Sequence, residues 1–164
     1  MVRVRLPVSE IESLYRERYR HFLRVATAIV DDEATGHDAV QEAFSRVLKK
    51  RASFRDECPL EAWVWRVVVN TARGQRRAQA ARREWPESAG GGASLNGRAE
   101  SDTGIRVWIA TLPERQRLAI FLRYFADLDY QAIATALDVE VGTVSATLSS
   151  AHRALRRSLE EVER

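Results

Sequence analysis

The sequence predicts an all-α protein of two small helical domains joined by a flexible linker, the C-terminal one containing a helix-turn-helix. Apolar residues recur at spacings of three and four through most of the chain, and no β-period appears. Residues 84–103 include three consecutive glycines and only two large apolar residues, Trp85 and Leu95, too little apolar surface to offset the entropy of ordering a backbone. We therefore expect domains over 1–83 and 104–164, on either side of a linker at 84–103.

Charge distribution is more informative than net charge. The 164 residues include 26 Lys and Arg against 23 Asp and Glu, a net of +3 that does not by itself indicate nucleic-acid binding. However, residues 65–83 carry six arginines and no acid, whereas acids gather in 31–42, in 127–140 and in the C-terminal tail. Separate basic and acidic faces predict partners of both signs.

The single cysteine and the absence of long apolar segments indicate the cellular compartment in which the protein works. Cys58 excludes an internal disulfide and a thiolate metal cluster and suits a reducing cytosol; a redox-sensing role is disfavoured because no second thiol can resolve an oxidised one. The N-terminus lacks the apolar segment of a secretion signal, and no segment is long enough to cross a bilayer. We expect no membrane insertion.

Two helices open the first domain. A capping box of Ser9 and Glu12 predicts a helix that runs to about Val30. A second helix is predicted from Thr35, with Asp38 as its capping partner. Its predicted buried residues are Val40, Ala43, Phe44 and Val47. Its predicted outward residues are Asp38, Gln41, Glu42 and Ser45.

An exposed basic loop over 49–57 precedes a third helix that Pro59 opens. The predicted buried side of that helix holds Leu60, Trp63, Val64, Val67, Val68 and Thr71. Arginines, an amide and a tryptophan lie elsewhere around it: Trp65, Arg66, Asn70, Arg73, Arg76 and Arg77. Such a face suits single-stranded nucleic acid, because guanidinium groups meet phosphates and flat rings stack on unpaired bases. Trp63 is expected in the core, and the core and a base-stacking role are both open for Trp65.

The second domain begins with a short helix over 105–111, and Pro113 starts another. The predicted apolar face of this next helix consists of Leu118, Phe121, Leu122 and Phe125. Residues 129–157 then indicate two helices joined by a tight turn, with Asp129 as N-cap and Asp138 in the left-handed conformation.

The last helix has an inward stripe and a free face. The stripe is Val141, Val144, Leu148, Ala151 and Leu155. The free face carries Thr143, Ala146, Ser149, Ser150, Arg153 and Arg157. Small side chains let a helix lie deep in a DNA groove, as the second helix of a helix-turn-helix does; the alternative is a helical hairpin that only packs.

Three segments in this order resemble the extracytoplasmic-function sigma factors, the sigma-70 family subunits that recognise promoters for bacterial RNA polymerase. DEATGHDAVQEAFSRVL resembles their core-binding helix, FRDECPLEAWVWRVVVNTARGQRR the promoter-melting segment of region 2, and LPERQRLAIFLRYFADLDYQAIATALDVEVGTVSATL region 4. The resemblance covers nearly the whole chain apart from the linker.

The resemblance implies three sets of site residues. Those expected to contact the β′ coiled coil of core RNA polymerase are Asp38, Gln41 and Glu42. Those expected at the minus-10 element are Phe54, Arg55, Trp65, Asn70, Arg73, Arg76 and Arg77. Those expected at the minus-35 element are Thr143, Ser145, Ala146, Thr147, Ser149, Ser150, Arg153 and Arg157.

The last helix departs from the family pattern. Positions that are commonly basic in region 4 hold Ser145, Ala146, Thr147 and Ser150. An arginine–guanine contact contributes about 1–3 kcal/mol of discrimination, and this helix lacks one before Arg153. We expect it to dock by fit and by backbone contacts, and selectivity to depend more on base capture near Asn70.

The predicted function is therefore that of a sigma factor that binds core polymerase, through the β′ coiled coil and the β flap, directs it to promoters and assists DNA opening. The resemblance implies an anti-sigma factor partner, a cytoplasmic location, nucleoid association when bound to polymerase, and neither cofactor nor metal. The alternatives are a duplex-binding regulator independent of polymerase and an interaction module that binds only proteins. An enzyme is least favoured because the three histidines are far apart in sequence and no catalytic cluster is evident.

Overall fold

A computed structural model describes residues 6–83 and 103–162, and within these ranges the chain is helical without strands. The helices are α1 (Val8–Val30), α2 (Glu33–Lys50), α3 (Leu60–Arg83), α4 (Thr103–Thr111), α5 (Glu114–Ile120), α6 (Tyr130–Leu137) and α7 (Val141–Val162). A short 3₁₀ turn (Arg51–Ser53) follows α2, and a π-helical turn (Phe121–Phe125) extends α5. The all-α class is confirmed. The predicted linker lies outside the described residues except for Thr103, which begins α4.

The first three helices pack against one another around aromatic side chains. Trp65 of α3 is fully buried, with its ring centroid 4.4 Å from that of Phe22. Phe22 in turn meets Phe44 of α2 edge-on at 5.3 Å. These contacts set how α3 is rotated about its axis: Trp65, Val68, Val69 and Ala72 face inward, and Trp63 and Val67 are only half-buried.

Two predicted helix starts are wrong. Pro7 is the N-cap of α1 and no side chain caps this end; Ser9 lies inside the helix, so the capping box with Glu12 does not form. Asp32, not Thr35, caps α2: its carboxylate accepts the backbone N–H of Thr35 at 2.7 Å and the Thr35 hydroxyl at 2.6 Å. These two hydrogen bonds lower the pKa of Asp32.

The helix-turn-helix forms as predicted. The Asp129 carboxylate accepts the N–H of Ala132 at 2.8 Å and caps α6. Asp138 ends α6 in the left-handed conformation, with φ 57° and ψ 51°. Val144, Leu148 and Ala151 of α7 are buried, whereas Val141 at the start of the predicted stripe is exposed.

The N-terminal and C-terminal helices also pack against each other, which the sequence did not predict. α3 lies against α6, and α1 lies against the π-helical turn. Arg18 of α1 joins the two parts: its Nη2 donates to the Ala126 carbonyl at 2.6 Å and its Nε pairs with Glu61 at 2.7 Å. The buried side chains form one continuous core in this arrangement.

No helix in residues 6–83 or 103–162 is both long enough and apolar enough to cross a lipid bilayer.

Close approach of α1 and α2 depends on Gly36. A Cβ at this position would clash with Thr27 Oγ1 and lie 2.8 Å from the Thr27 Cα, so the two helices would have to separate. We expect Gly36→Ala to lower the free energy of unfolding by about 1–3 kcal/mol in urea denaturation. Gly74→Ala is the control, because no atom lies within 4 Å of its added Cβ and alanine favours a helix interior. Equal stability of the two variants would contradict the tight crossing.

Candidate nucleic-acid and polymerase interfaces

A polar stripe runs along the outer face of α3. It consists of Trp63, Arg66, Asn70, Arg73 and Arg77, spaced three and four residues apart, so they share one side of the helix. The stripe spans about 21 Å at 1.5 Å per residue. Asn70 and Arg77 are exposed, and the other three are half-buried.

The structure brings together some of the predicted minus-10 residues and separates others. Asn70, Arg73 and Arg77 share the stripe. Arg76 points toward α1 instead, where its Nη1 donates to the Ile29 carbonyl at 3.3 Å. Arg55, in the loop before α3, is exposed.

Of the two roles left open for Trp65, the structure supports core packing, because its side chain is fully buried against Phe22; the expectation that it contacts the minus-10 element is wrong. Trp63, expected in the core, is the half-buried tryptophan on the outer side. Its ring centroid lies 5.2 Å from that of Phe54, so loop and helix present an aromatic pair at one end of the stripe. The sequence contained the signal for this face: Trp63, Arg66 and Asn70 are spaced three and then four residues apart, so they lie on the same side of the helix.

Carboxylates from the C-terminal helices pair with two arginines of the stripe. Arg73 meets Glu114 at the start of α5 with a 2.9 Å contact from Nε and a 3.5 Å contact from Nη2. The hydrogen bond from Arg73 is the main reason that the pKa of Glu114 is lowered. Arg66 pairs with Asp138, the left-handed residue of the helix-turn-helix.

The acidic face of α2 is directed outward as predicted, but it is not uniform. Asp38 and Gln41 are exposed, and the Gln41 amide donates to the Tyr15 hydroxyl at 2.9 Å. Glu42 is half-buried and takes part in the packing of α3, since the Gln75 amide donates to it at 2.8 Å. Asp38 and Gln41 are therefore the more accessible members of the predicted polymerase contact.

The outward face of α7 carries most of the predicted minus-35 residues. Five are exposed: Ser145, Ala146, Ser149, Arg153 and Arg157. Three are half-buried: Thr143, Thr147 and Ser150. The sequence did not reveal that His152, also exposed on α7, hydrogen-bonds through Nε2 to the Tyr124 hydroxyl at 2.8 Å.

The described residues contain no group of three His, Cys, Asp or Glu side chains placed to hold a metal ion. Cys58 is half-buried, and burial raises the pKa of its thiol in spite of nearby Arg66. A protonated thiol is a poor nucleophile, which argues against redox sensing at this position.

Known proteins share both halves of this arrangement. A family model of sigma-70 region 2 matches residues 14–82, and one of sigma-70 region 4 matches residues 105–157. The ECF RNA polymerase sigma-E factor of Escherichia coli K12 is 31% identical, over 90% of this chain and 85% of its own length. The RNA polymerase sigma-H factor of Pseudomonas aeruginosa is 29% identical over the same shares.

Solved structures agree on the fold. The sigma factor RpoE of Bartonella quintana, crystallised with the anti-sigma factor NepR, superposes with a TM-score of 0.72 over 93% of this chain and 98% of that one, at 19% identity. CnrH in complex with the cytosolic domain of CnrY gives the same TM-score over 94% and 90%. The chain thus belongs to the sigma-70 family of transcription initiation factors and, within it, to the extracytoplasmic-function group.

The two tryptophans of α3 are expected to respond differently to truncation. Trp65→Ala removes a fully buried ring, and we expect it to lower the free energy of unfolding by about 3–5 kcal/mol in urea denaturation followed by circular dichroism. Trp63→Ala, the matched control, should cost less than half as much because its ring is partly in water already. The assigned rotation of α3 fails if Trp63→Ala is the more destabilising change.

Proposed function

We propose that this chain binds core RNA polymerase, directs it to promoters and assists opening of the DNA, without catalysing a reaction itself. The observation that carries the proposal is the presence in one chain of the α3 stripe, suited to single-stranded DNA, and of the α6–α7 helix-turn-helix, suited to duplex DNA. Sigma-70 region 2 and region 4 models match these two parts.

The α3 stripe has the chemistry needed to hold an open strand. Arg66, Arg73 and Arg77 can bind phosphates through their guanidinium groups, and the amide of Asn70 can hydrogen-bond a base edge. The aromatic pair of Trp63 and Phe54 offers a surface for stacking. Unstacking DNA costs a few kcal/mol per step, and binding of the extruded minus-10 base in this region offsets that cost.

The α7 face suits docking more than direct base readout. From Thr143 to Ser150 its side chains are small and uncharged, so a bidentate guanine contact is lacking over this part of the helix. Arg153, Arg156 and Arg157 are exposed further along and can hold the backbone of the minus-35 element. Discrimination between promoters then rests mainly on the first domain.

Protein partners fit the acidic face of α2 and the second domain. Exposed Asp38 and Gln41, with the half-buried Glu42, form a surface complementary to a basic coiled coil, the β′ element of polymerase. The second domain, 104–164, would contact the β flap, and the linker 84–103 would let it reach the minus-35 element. NepR is an anti-sigma factor for a protein of the same fold, which supports an anti-sigma partner here. The site of action is the cytoplasm, at the nucleoid when polymerase is bound.

Run-off transcription with purified core polymerase tests the function. We expect specific transcripts from a subset of fragments of the source genome when the chain is added to core polymerase, and none from core polymerase alone. A duplex-binding regulator would instead bind promoter fragments tightly by itself and give no new start. The absence of any specific start across the whole fragment library would refute the proposal.

A further inference from the structure

The α3 stripe is already occupied in the compact arrangement of the two domains. Arg66 and Arg73, two of its three cations, are paired with carboxylates that lie more than 40 positions away in sequence. Asn70 lies between them on the same face. The second domain therefore pairs with the stripe on both sides of Asn70, the residue to which the proposed function assigns base capture.

These two ion pairs use the same atoms that phosphates would use. The Arg73 guanidinium meets both oxygens of Glu114, at 2.9 and 3.5 Å, and carboxylate and phosphate bind this fork in the same way. Arg66 likewise pairs with Asp138. A strand cannot bind either arginine fully until the carboxylate has left.

Both carboxylates are held in place by helix ends of the second domain. Asp138 is the turn residue of the helix-turn-helix, held at φ 57°, so its position is fixed by the end of α6 and not by a flexible loop. Glu114 is in the first turn of α5, directly after Pro113. Rigid elements thus present both carboxylates, and α6 itself packs on α3.

We propose that Glu114 and Asp138 form an intramolecular mask that keeps the α3 stripe from single-stranded DNA until the two domains separate. The mask rests on the proposed strand-binding role of α3. Binding of the two domains to distant parts of polymerase would separate them and release Arg66 and Arg73 together. Because both pairs are partly exposed, each shifts the balance by no more than about fivefold, so the mask is readily reversible.

The test compares two full-length double variants that lose the same charge. Glu114→Gln with Asp138→Asn removes both masking carboxylates, and asparagine keeps the left-handed conformation accessible at 138. Glu140→Gln with Glu160→Gln is the control, since both acids are exposed in the second domain and neither pairs with α3. Binding of a fluorescein-labelled 12-nucleotide single strand of DNA is measured by anisotropy without polymerase, and the radius of gyration by small-angle X-ray scattering.

The mask predicts that the Glu114/Asp138 variant binds the strand about 5- to 20-fold more tightly than the unaltered protein and has a larger radius of gyration. The control should change affinity less than threefold and keep the original radius. Equal behaviour of the two variants overturns the mask while leaving the proposed function intact. Expansion of the Glu114/Asp138 variant without tighter binding also overturns the mask. In that case the exposed α3 stripe does not bind the strand, which counts against the proposed function too.

Discussion

Burial of Trp65 against Phe22 is the contact on which the arrangement of α3 depends. A helix that buries this ring, together with Val68, Val69 and Ala72, can have only one rotation about its axis. That rotation places Asn70 and three arginines on the opposite, outer side. An apolar packing contact in the core thereby decides which polar side chains are available for the DNA contacts that we propose.

If α3 binds DNA as we propose, the same rotation makes two states compete for its outer surface. In the compact state, acids of α5 and of the helix-turn-helix neutralise Arg66 and Arg73, and the apolar sides of α3 and α6 are buried together. In the promoter-bound state that we propose, those arginines would face phosphates. Two acids that follow the linker in sequence, Glu114 and Asp138, thereby meet arginines of the basic segment 65–83.

The sequence was sufficient for the caps of α6 in the helix-turn-helix, whereas the equally local caps of α1 and α2 were assigned to the wrong residues. Asp129 and Asp138 act through hydrogen bonds and backbone angles within a few residues, and both were predicted correctly. It was insufficient where tertiary packing selects between neighbouring registers: Trp63 and Trp65 differ by two positions, and only the contact of Trp65 with Phe22 shows which one is inside. Pairing of Arg66 with Asp138 joins residues 72 positions apart, and no periodicity encodes it.

Photo-crosslinking in a complete initiation complex tests the assigned face of α3 most directly. A photoreactive amino acid is placed at Asn70 in one protein and at Gln79 in another; the two positions lie on opposite sides of α3, and Gln79 packs toward α2 through Thr35. The structure predicts crosslinks from position 70 to the non-template strand within the minus-10 element and none from position 79. DNA crosslinks from position 79, or none from position 70, would contradict the account.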